Sequence, residues 1–145
     1  MNKATLLLTF IVALAGCNQS PQKATCNAEQ TTVSAVFSAA PNVVYVYYFH
    51  GKERCKACVA VNDVARQTVE NSFAGNPNVR FVEINTSEKG YEALIEKYEV
   101  TWNALIIAKG ENAIEITRKA FLTAVENPQS LENLIKDEIT QRLTN

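Results

Sequence analysis

Two cysteines, Cys55 and Cys58, have the spacing C-x-x-C, which places two thiols one helical turn apart and close enough to form a disulfide. The pair follows an apolar run and opens a segment with helical periodicity. The unpaired N–H groups and the positive dipole end of a helix N-terminus favour a thiolate there. We therefore predict a redox disulfide, with Cys55 as the attacking thiol and Cys58 as the resolving thiol.

Several residues near the pair are candidate modulators of its reactivity. Arg54 and Lys56 flank Cys55 and add positive charge beside it. His50 is the single histidine; it either tunes Cys55 or joins it as a metal ligand, or it packs and hydrogen-bonds locally. Trp102 either contacts the substrate or contributes partly buried packing.

A third cysteine, Cys17, ends a segment typical of a signal peptide at residues 1–16. Asn2 and Lys3 form a short polar and positive start, and the apolar run that follows is shorter than the roughly 20 residues of a membrane-spanning helix. Leu14-Ala15-Gly16-Cys17 resembles the lipobox of bacterial lipoproteins, which implies cleavage before Cys17 and lipidation of that residue. The alternative is an ordinary signal peptide with a cysteine nearby.

Residues 17–32 are polar and lack the periodicity of a packed element, so we expect a flexible tether after the lipidated cysteine. Cys26 lies in this tether and has three interpretations: a disulfide relay to the C-x-x-C pair, a link between two chains, or an idle thiol. Residues 33–145 have the size of one domain. Within it, residues 33–40 are compatible with either a strand or a helix.

Alternating strands and helices are predicted to position the cysteine pair. The run at 42–49 is continuously apolar, β-branched and aromatic, which indicates a central strand covered on both faces. On the helix after Cys58, Asn62 and Arg66 fall on the side expected to face solvent. The predicted elements are strand 42–49, helix 55–73, strand 79–85, a short helix opened by Ser87, strand 104–108, a turn at 109–112, strand 113–117 and a last helix from Pro128. The order β-α-β-α-β-β-α predicts an α/β fold whose central mixed sheet of about four strands is flanked by helices.

This order and the strand–CxxC–helix junction resemble the thioredoxin family over residues 42–143, so the predicted fold is thioredoxin-like. The segments Tyr47-Tyr48-Phe49-His50-Gly51 and Arg54-Cys55-Lys56-Ala57-Cys58 resemble, more closely, a family of thioredoxin-like lipoproteins and periplasmic proteins. Its members are named as subunits of a nitrophenyl-compound nitroreductase and are encoded beside arsenical-efflux genes. This resemblance implies thiol electron transfer toward reduction of an aromatic nitro group, with Cys55 and Cys58 as the matching functional positions.

The sequence departs from the thioredoxin pattern at two positions. Ala104 stands where thioredoxins have a cis-proline, so we expect a trans peptide and altered substrate docking, since a cis bond without proline costs about 2.5–4 kcal/mol. The buried acid of thioredoxins is missing, and Tyr48 falls near its position. His50 and Glu53 are then the candidate groups for proton exchange with the resolving thiol.

The formal net charge of −1 and the lack of a basic patch with interleaved aromatics argue against a nucleic-acid partner. We expect a cofactor-free thiol-disulfide oxidoreductase or redox subunit, lipid-anchored in the cell envelope, facing the periplasm and serving a redox partner protein. Asn18, in place of the aspartate associated with inner-membrane retention, favours the outer membrane. The alternatives are a metal-binding or metal-delivery lipoprotein using Cys55, Cys58 and His50, and a non-catalytic docking lipoprotein.

Overall fold

The structure is a computed structural model that describes residues 41–145. The expected signal peptide, Cys17, the tether with Cys26, and residues 33–40 lie outside the described residues. No helix of the described part is long and apolar enough to cross a membrane.

Strands and helices alternate along the first part of the described chain, and its last two elements are helices. The elements are β1 (Val44–His50), α1 (Lys56–Ser72), β2 (Val79–Asn85), α2 (Glu92–Lys97), β3 (Ala104–Lys109), β4 (Asn112–Glu115), α3 (Thr117–Thr123) and α4 (Pro128–Thr144).

The four strands form one mixed sheet in the order β2-β1-β3-β4. β1 and β2 are parallel, with Val44 opposite Val79, whereas β1/β3 and β3/β4 are antiparallel. The predicted α/β class is therefore confirmed: a four-stranded mixed sheet is flanked by helices, as in a thioredoxin-like fold.

Strand β1 lies inside the sheet, and all seven of its residues are buried. Because side chains alternate across a strand, Val44, Val46 and Tyr48 join a core cluster with α1, α3 and α4, while Tyr47 and Phe49 join a second cluster with α2. The predicted burial of both faces is confirmed. The cysteine pair follows the end of this strand after the turn formed by residues 51–54.

The structure corrects three details of the predicted elements. Helix α3 was not predicted; its seven residues bury only Ala120, a weak sequence signal. The helix expected from Ser87 begins at Glu92 instead, because the Asn85 side chain accepts a hydrogen bond from the Ser87 N–H and holds a turn there.

The third correction concerns Asn62, which was expected to face solvent but is buried. The buried face of α1 contains Cys58, Val61, Asn62 and Ala65, the spacing of one helical stripe. Asn62 therefore lies one turn beyond Cys58 on the inward face. Because asparagine is polar, the hydrophobic pattern of the sequence assigned it to the solvent side.

Candidate functional site

Cys55 and Cys58 form a disulfide at the start of α1, with their Cα atoms 5.0 Å apart. Cys55 is the N-cap residue, with extended backbone angles (φ −80°, ψ 165°). Its sulfur accepts a hydrogen bond from the Cys58 N–H at 3.0 Å, and its carbonyl accepts one from the Val59 N–H at 3.0 Å. The sulfur thus takes the place that a Ser or Asp oxygen has in most helix caps, where the helix dipole favours negative charge.

The two cysteines differ sharply in exposure. Cys55 is exposed, as are its neighbours Arg54 and Lys56, whereas Cys58 is 3% exposed. A disulfide or thiol on another molecule can therefore reach the Cys55 sulfur first. Cys58 is placed to act after that, on the sulfur of Cys55.

The side chain of Tyr48 contacts the cysteine pair from the sheet. Its side chain is fully buried, and its hydroxyl donates a hydrogen bond to the Cys58 carbonyl oxygen at 2.8 Å. Burial raises the pKa of Tyr48 to about 12. The phenol therefore stays neutral near pH 7 and does not supply a base for the resolving thiol.

A carboxylate that sequence reasoning missed, Glu83, stands next to Tyr48 across the parallel pair β1/β2. Its Oε1 lies 2.8 Å from Arg54 Nη1 and 3.2 Å from His50 Nε2, and its Oε2 accepts from Arg66 Nη2. Arg66, expected to face solvent, is only partly exposed because it reaches this carboxylate. We name Glu83, His50, Arg54 and Arg66 the Glu83 cluster; it ties the turn before Cys55 to strand β2.

His50 adopts the local-packing alternative. It is buried, its Nδ1 lies 2.7 Å from the Gly51 carbonyl oxygen, and its ring stacks near Tyr48 with centroids 5.8 Å apart. With Nε2 beside Glu83, both ring nitrogens have partners other than the cysteines. Glu53, the other proposed proton-exchange group, lies exposed in the turn.

The loop before β3 approaches the buried sulfur of the disulfide. Asn103 places its Nδ2 at 4.0 Å from the Cys58 sulfur. Ala104 is buried and begins β3 opposite Phe49, and no cis peptide bond occurs in the described residues. Trp102 is 80% exposed, so it does not contribute core packing.

The loop is positioned by the way helix α2 ends. Glu99 has a positive φ of 50°, Val100 N–H donates to the Ile95 carbonyl, and Glu99 N–H donates to the Glu96 carbonyl. These bonds form the Schellman motif that usually has glycine at the left-handed position. Here a glutamate occupies it, so the sequence lacked the usual sign that the chain turns toward the site.

Two side-chain amides next to Cys58 have buried oxygens without a hydrogen-bond partner among the described residues: Asn62 Oδ1 and Asn103 Oδ1. Asn62 lies one turn after Cys58 on α1, and Asn103 lies across from it. Buried polar atoms are nearly always paired, so each of these two oxygens is a position where a further hydrogen-bond donor would be accommodated.

A cavity of about 360 Å³ opens between the turn after β1, the end of β2 and the loop before β3, and neither cysteine lines it. Its lining residues are Gly51, Lys52, Glu53, Thr86, Thr101 and Trp102. In residues 41–145, no group of three His, Cys, Asp or Glu side chains could hold a metal ion.

No family model matches the chain, and no curated protein matches it. A solved structure described as that of a malarial protein is similar to it, with 21% sequence identity and a TM-score of 0.47. That similarity covers 68% of this chain and 99% of the other chain.

Replacing Glu83 with Gln leaves Arg54 and Arg66 without their carboxylate partner. We expect the pKa of the Cys55 thiol in the reduced protein to fall, because uncompensated positive charge beside a thiolate favours the charged form. The ultraviolet absorbance of the thiolate, followed against pH in a Cys58→Ser background, measures this change.

The control for this variant is Glu70→Gln, which removes the same charge from an exposed position of α1. It should leave the Cys55 pKa where it was. Equal shifts in both variants would mean that only net charge matters and that the Glu83 cluster has no specific effect.

The raised pKa of Tyr48 has a consequence for stability at alkaline pH. Tyrosine in the unfolded chain ionises near pH 10, so the stability from neutral, buried Tyr48 is present below that pH and is lost as pH rises toward about 12. Between about pH 9 and pH 11, wild type should lose about 1 kcal/mol more unfolding free energy than Tyr48→Phe. Urea unfolding at both pH values tests this; parallel losses in the two proteins would contradict it.

Proposed function

We propose that this protein is a thiol-disulfide redox protein that exchanges electrons with a specific partner through Cys55 and Cys58. The observation that supports this most directly is the disulfide itself, with an exposed sulfur at a helix N-terminus and a buried second sulfur. A structural disulfide has no need of that asymmetry, whereas dithiol exchange depends on it.

In the reducing direction, the Cys55 thiolate attacks a disulfide of the partner and forms a mixed disulfide, and one partner sulfur leaves as a thiolate. Cys58, as thiolate, then attacks the Cys55 sulfur, forms the intramolecular disulfide and releases the second partner sulfur as a thiolate, which takes up the proton that Cys58 has lost. Two electrons pass to the partner, and the partner's sulfurs take up two protons. The reverse sequence oxidises a partner dithiol.

Apolar side chains around the pair suit a protein partner. Trp102 is 80% exposed and Val59 is 42% exposed, and they lie on the two segments that carry the site. An exposed tryptophan offers a large contact area of the kind that anchors interfaces. Since the loop has Ala104 in place of a cis-proline, the partner's chain would dock differently from a thioredoxin substrate.

The geometry favours this function over metal delivery. Both nitrogens of His50 face partners other than the cysteines, so the third ligand expected for a metal site is engaged elsewhere. Two thiolates alone give half of a closed tetrahedral zinc site.

We further propose that the protein works in the cell envelope, cleaved and lipidated at Cys17 and facing the periplasm. The support is the charged start, short apolar run and Leu14-Ala15-Gly16-Cys17 of the sequence. The resemblance of residues 47–58 to nitroreductase redox subunits extends the proposal to an aromatic nitro group as the final electron acceptor.

Redox titration tests the central proposal. In glutathione or dithiothreitol buffers, the Cys55–Cys58 pair should show one reduction potential between about −270 and −120 mV, the range of this fold. Brief alkylation of the reduced protein should modify Cys55 before Cys58. Cys55→Ser and Cys58→Ser should each abolish the two-electron transition, and preferential labelling of Cys58 would overturn the assigned roles.

Cell fractionation tests the proposed location. The wild-type chain should enter the detergent phase of a Triton X-114 partition and incorporate radiolabelled palmitate, because its acyl chains anchor it stably. Cys17→Ala should lose the label, while Cys26→Ala, a matched change outside the lipobox, should keep it. Label that persists in Cys17→Ala would refute lipidation at this residue.

A further inference from the structure

The resolving step requires negative charge on a buried sulfur. Cys58 must become a thiolate to attack the Cys55 sulfur, yet it is 3% exposed, and burial disfavours the charged form of a thiol. Some group near Cys58 must therefore stabilise its charge or accept its proton.

The titratable side chains around Cys58 are engaged elsewhere. Tyr48, from β1, directs its hydroxyl to the Cys58 carbonyl oxygen, not to the sulfur, and its raised pKa keeps it protonated. Glu83, from β2, is engaged by His50, Arg54 and Arg66. These contacts leave no carboxylate or imidazole of the described residues directed at the Cys58 sulfur.

One polar side chain does reach that sulfur. Asn103 Nδ2 lies 4.0 Å from Cys58 Sγ, at the outer limit of a hydrogen bond to sulfur. The other end of the same amide, Oδ1, is buried and has no partner among the described residues. Within residues 41–145, no hydrogen bond therefore holds the oxygen end of the amide away from the sulfur, and rotation about the terminal torsion exchanges a donor for an acceptor.

We propose that Asn103 is a catalytic residue of the resolving step. Its amide takes the place of an acid–base group, because it can hydrogen-bond to the Cys58 sulfur in both charge states. With Cys58 as a thiol, Oδ1 accepts the S–H; with Cys58 as a thiolate, an Nδ2–H donates to the negative sulfur. The proton released from Cys58 passes to the departing partner thiolate, so no proton is taken up by the amide. This inference rests on the proposed redox function.

The test uses the full chain in detergent with Cys17→Ser and Cys26→Ser, so that Cys55 and Cys58 are its only thiols. The reduced protein is mixed with 5,5′-dithiobis(2-nitrobenzoate), and release of the coloured thiolate is followed in a stopped-flow instrument. The first release reports attack by Cys55, and the second reports attack by Cys58 on the mixed disulfide.

Asn103→Ala and the bulkier, donor-free Asn103→Leu should slow the second release roughly tenfold, the effect expected on losing a hydrogen bond to a charged acceptor. The first release should change by less than about twofold, since the Cys55 sulfur keeps its bond from the Cys58 N–H.

The control is Asn71→Ala, at an exposed position of α1, which should leave both phases at the wild-type rate. Near-ultraviolet circular dichroism establishes that each variant is folded, and two replacements of different size guard against a folding defect in one.

An unchanged second phase in a folded Asn103 variant would overturn the proposal, as would equal slowing of both phases, which indicates a merely structural role. Failure of the redox function would look different. Wild type itself would then release a single thiolate and keep the mixed disulfide, whereas failure of the Asn103 proposal leaves wild type with both phases.

Discussion

The hydrogen bond from the Cys58 N–H to the Cys55 sulfur joins the first turn of α1 to the reactive atom of the site. A neutral thiol is a weak acceptor, while a thiolate is a strong one. The energy of the helix cap therefore depends on the charge of the sulfur, and in the reduced protein the helix would stabilise the thiolate that starts the proposed exchange. Because Cys55 has extended backbone angles at the cap, its sulfur stays at the surface while Cys58 turns inward.

This arrangement requires that the helix begin at a fixed place relative to the sheet. Burial of β1 on both faces anchors the chain up to His50, but the turn that follows is largely exposed and has few apolar contacts. Charge pairs supply the missing restraint: Arg54 reaches Glu83 on β2, and Arg66 reaches the same carboxylate from α1. Partly exposed ion pairs are individually weak, so the cluster depends on one carboxylate serving three basic side chains.

Local signals account for what the sequence predicted well. The apolar run of β1, the inward stripe of α1, and the Asn127 cap with Pro128 each depend on neighbours within a few residues, and the structure contains the corresponding elements. The sequence did not identify Glu83 and Asn103, because Glu83 reaches the site through the register of β1 and β2, and Asn103 reaches it through the pairing of β1 with β3. The left-handed backbone conformation of Glu99 was not predicted for a different reason: glutamate is an unusual residue in that conformation.

The surroundings of Cys58 suggest how this site differs from one built on a buried acid. A carboxylate beneath the cysteines takes up and returns a proton, so the reaction rate follows its titration. Here the two side chains directed at Cys58, Tyr48 and Asn103, are both neutral near pH 7, and the nearby carboxylate is occupied by basic groups. In the proposed resolving step, the amide of Asn103 stabilises charge on the Cys58 sulfur in place of a proton carrier, while the N-terminus of α1 favours charge on the Cys55 sulfur. In the proposed exchange, a partner contacts the loop of the exposed Trp102 and of Asn103, so we expect the rate to depend on how the partner aligns with that loop, as it would for a dedicated partner and not for a general disulfide reductase.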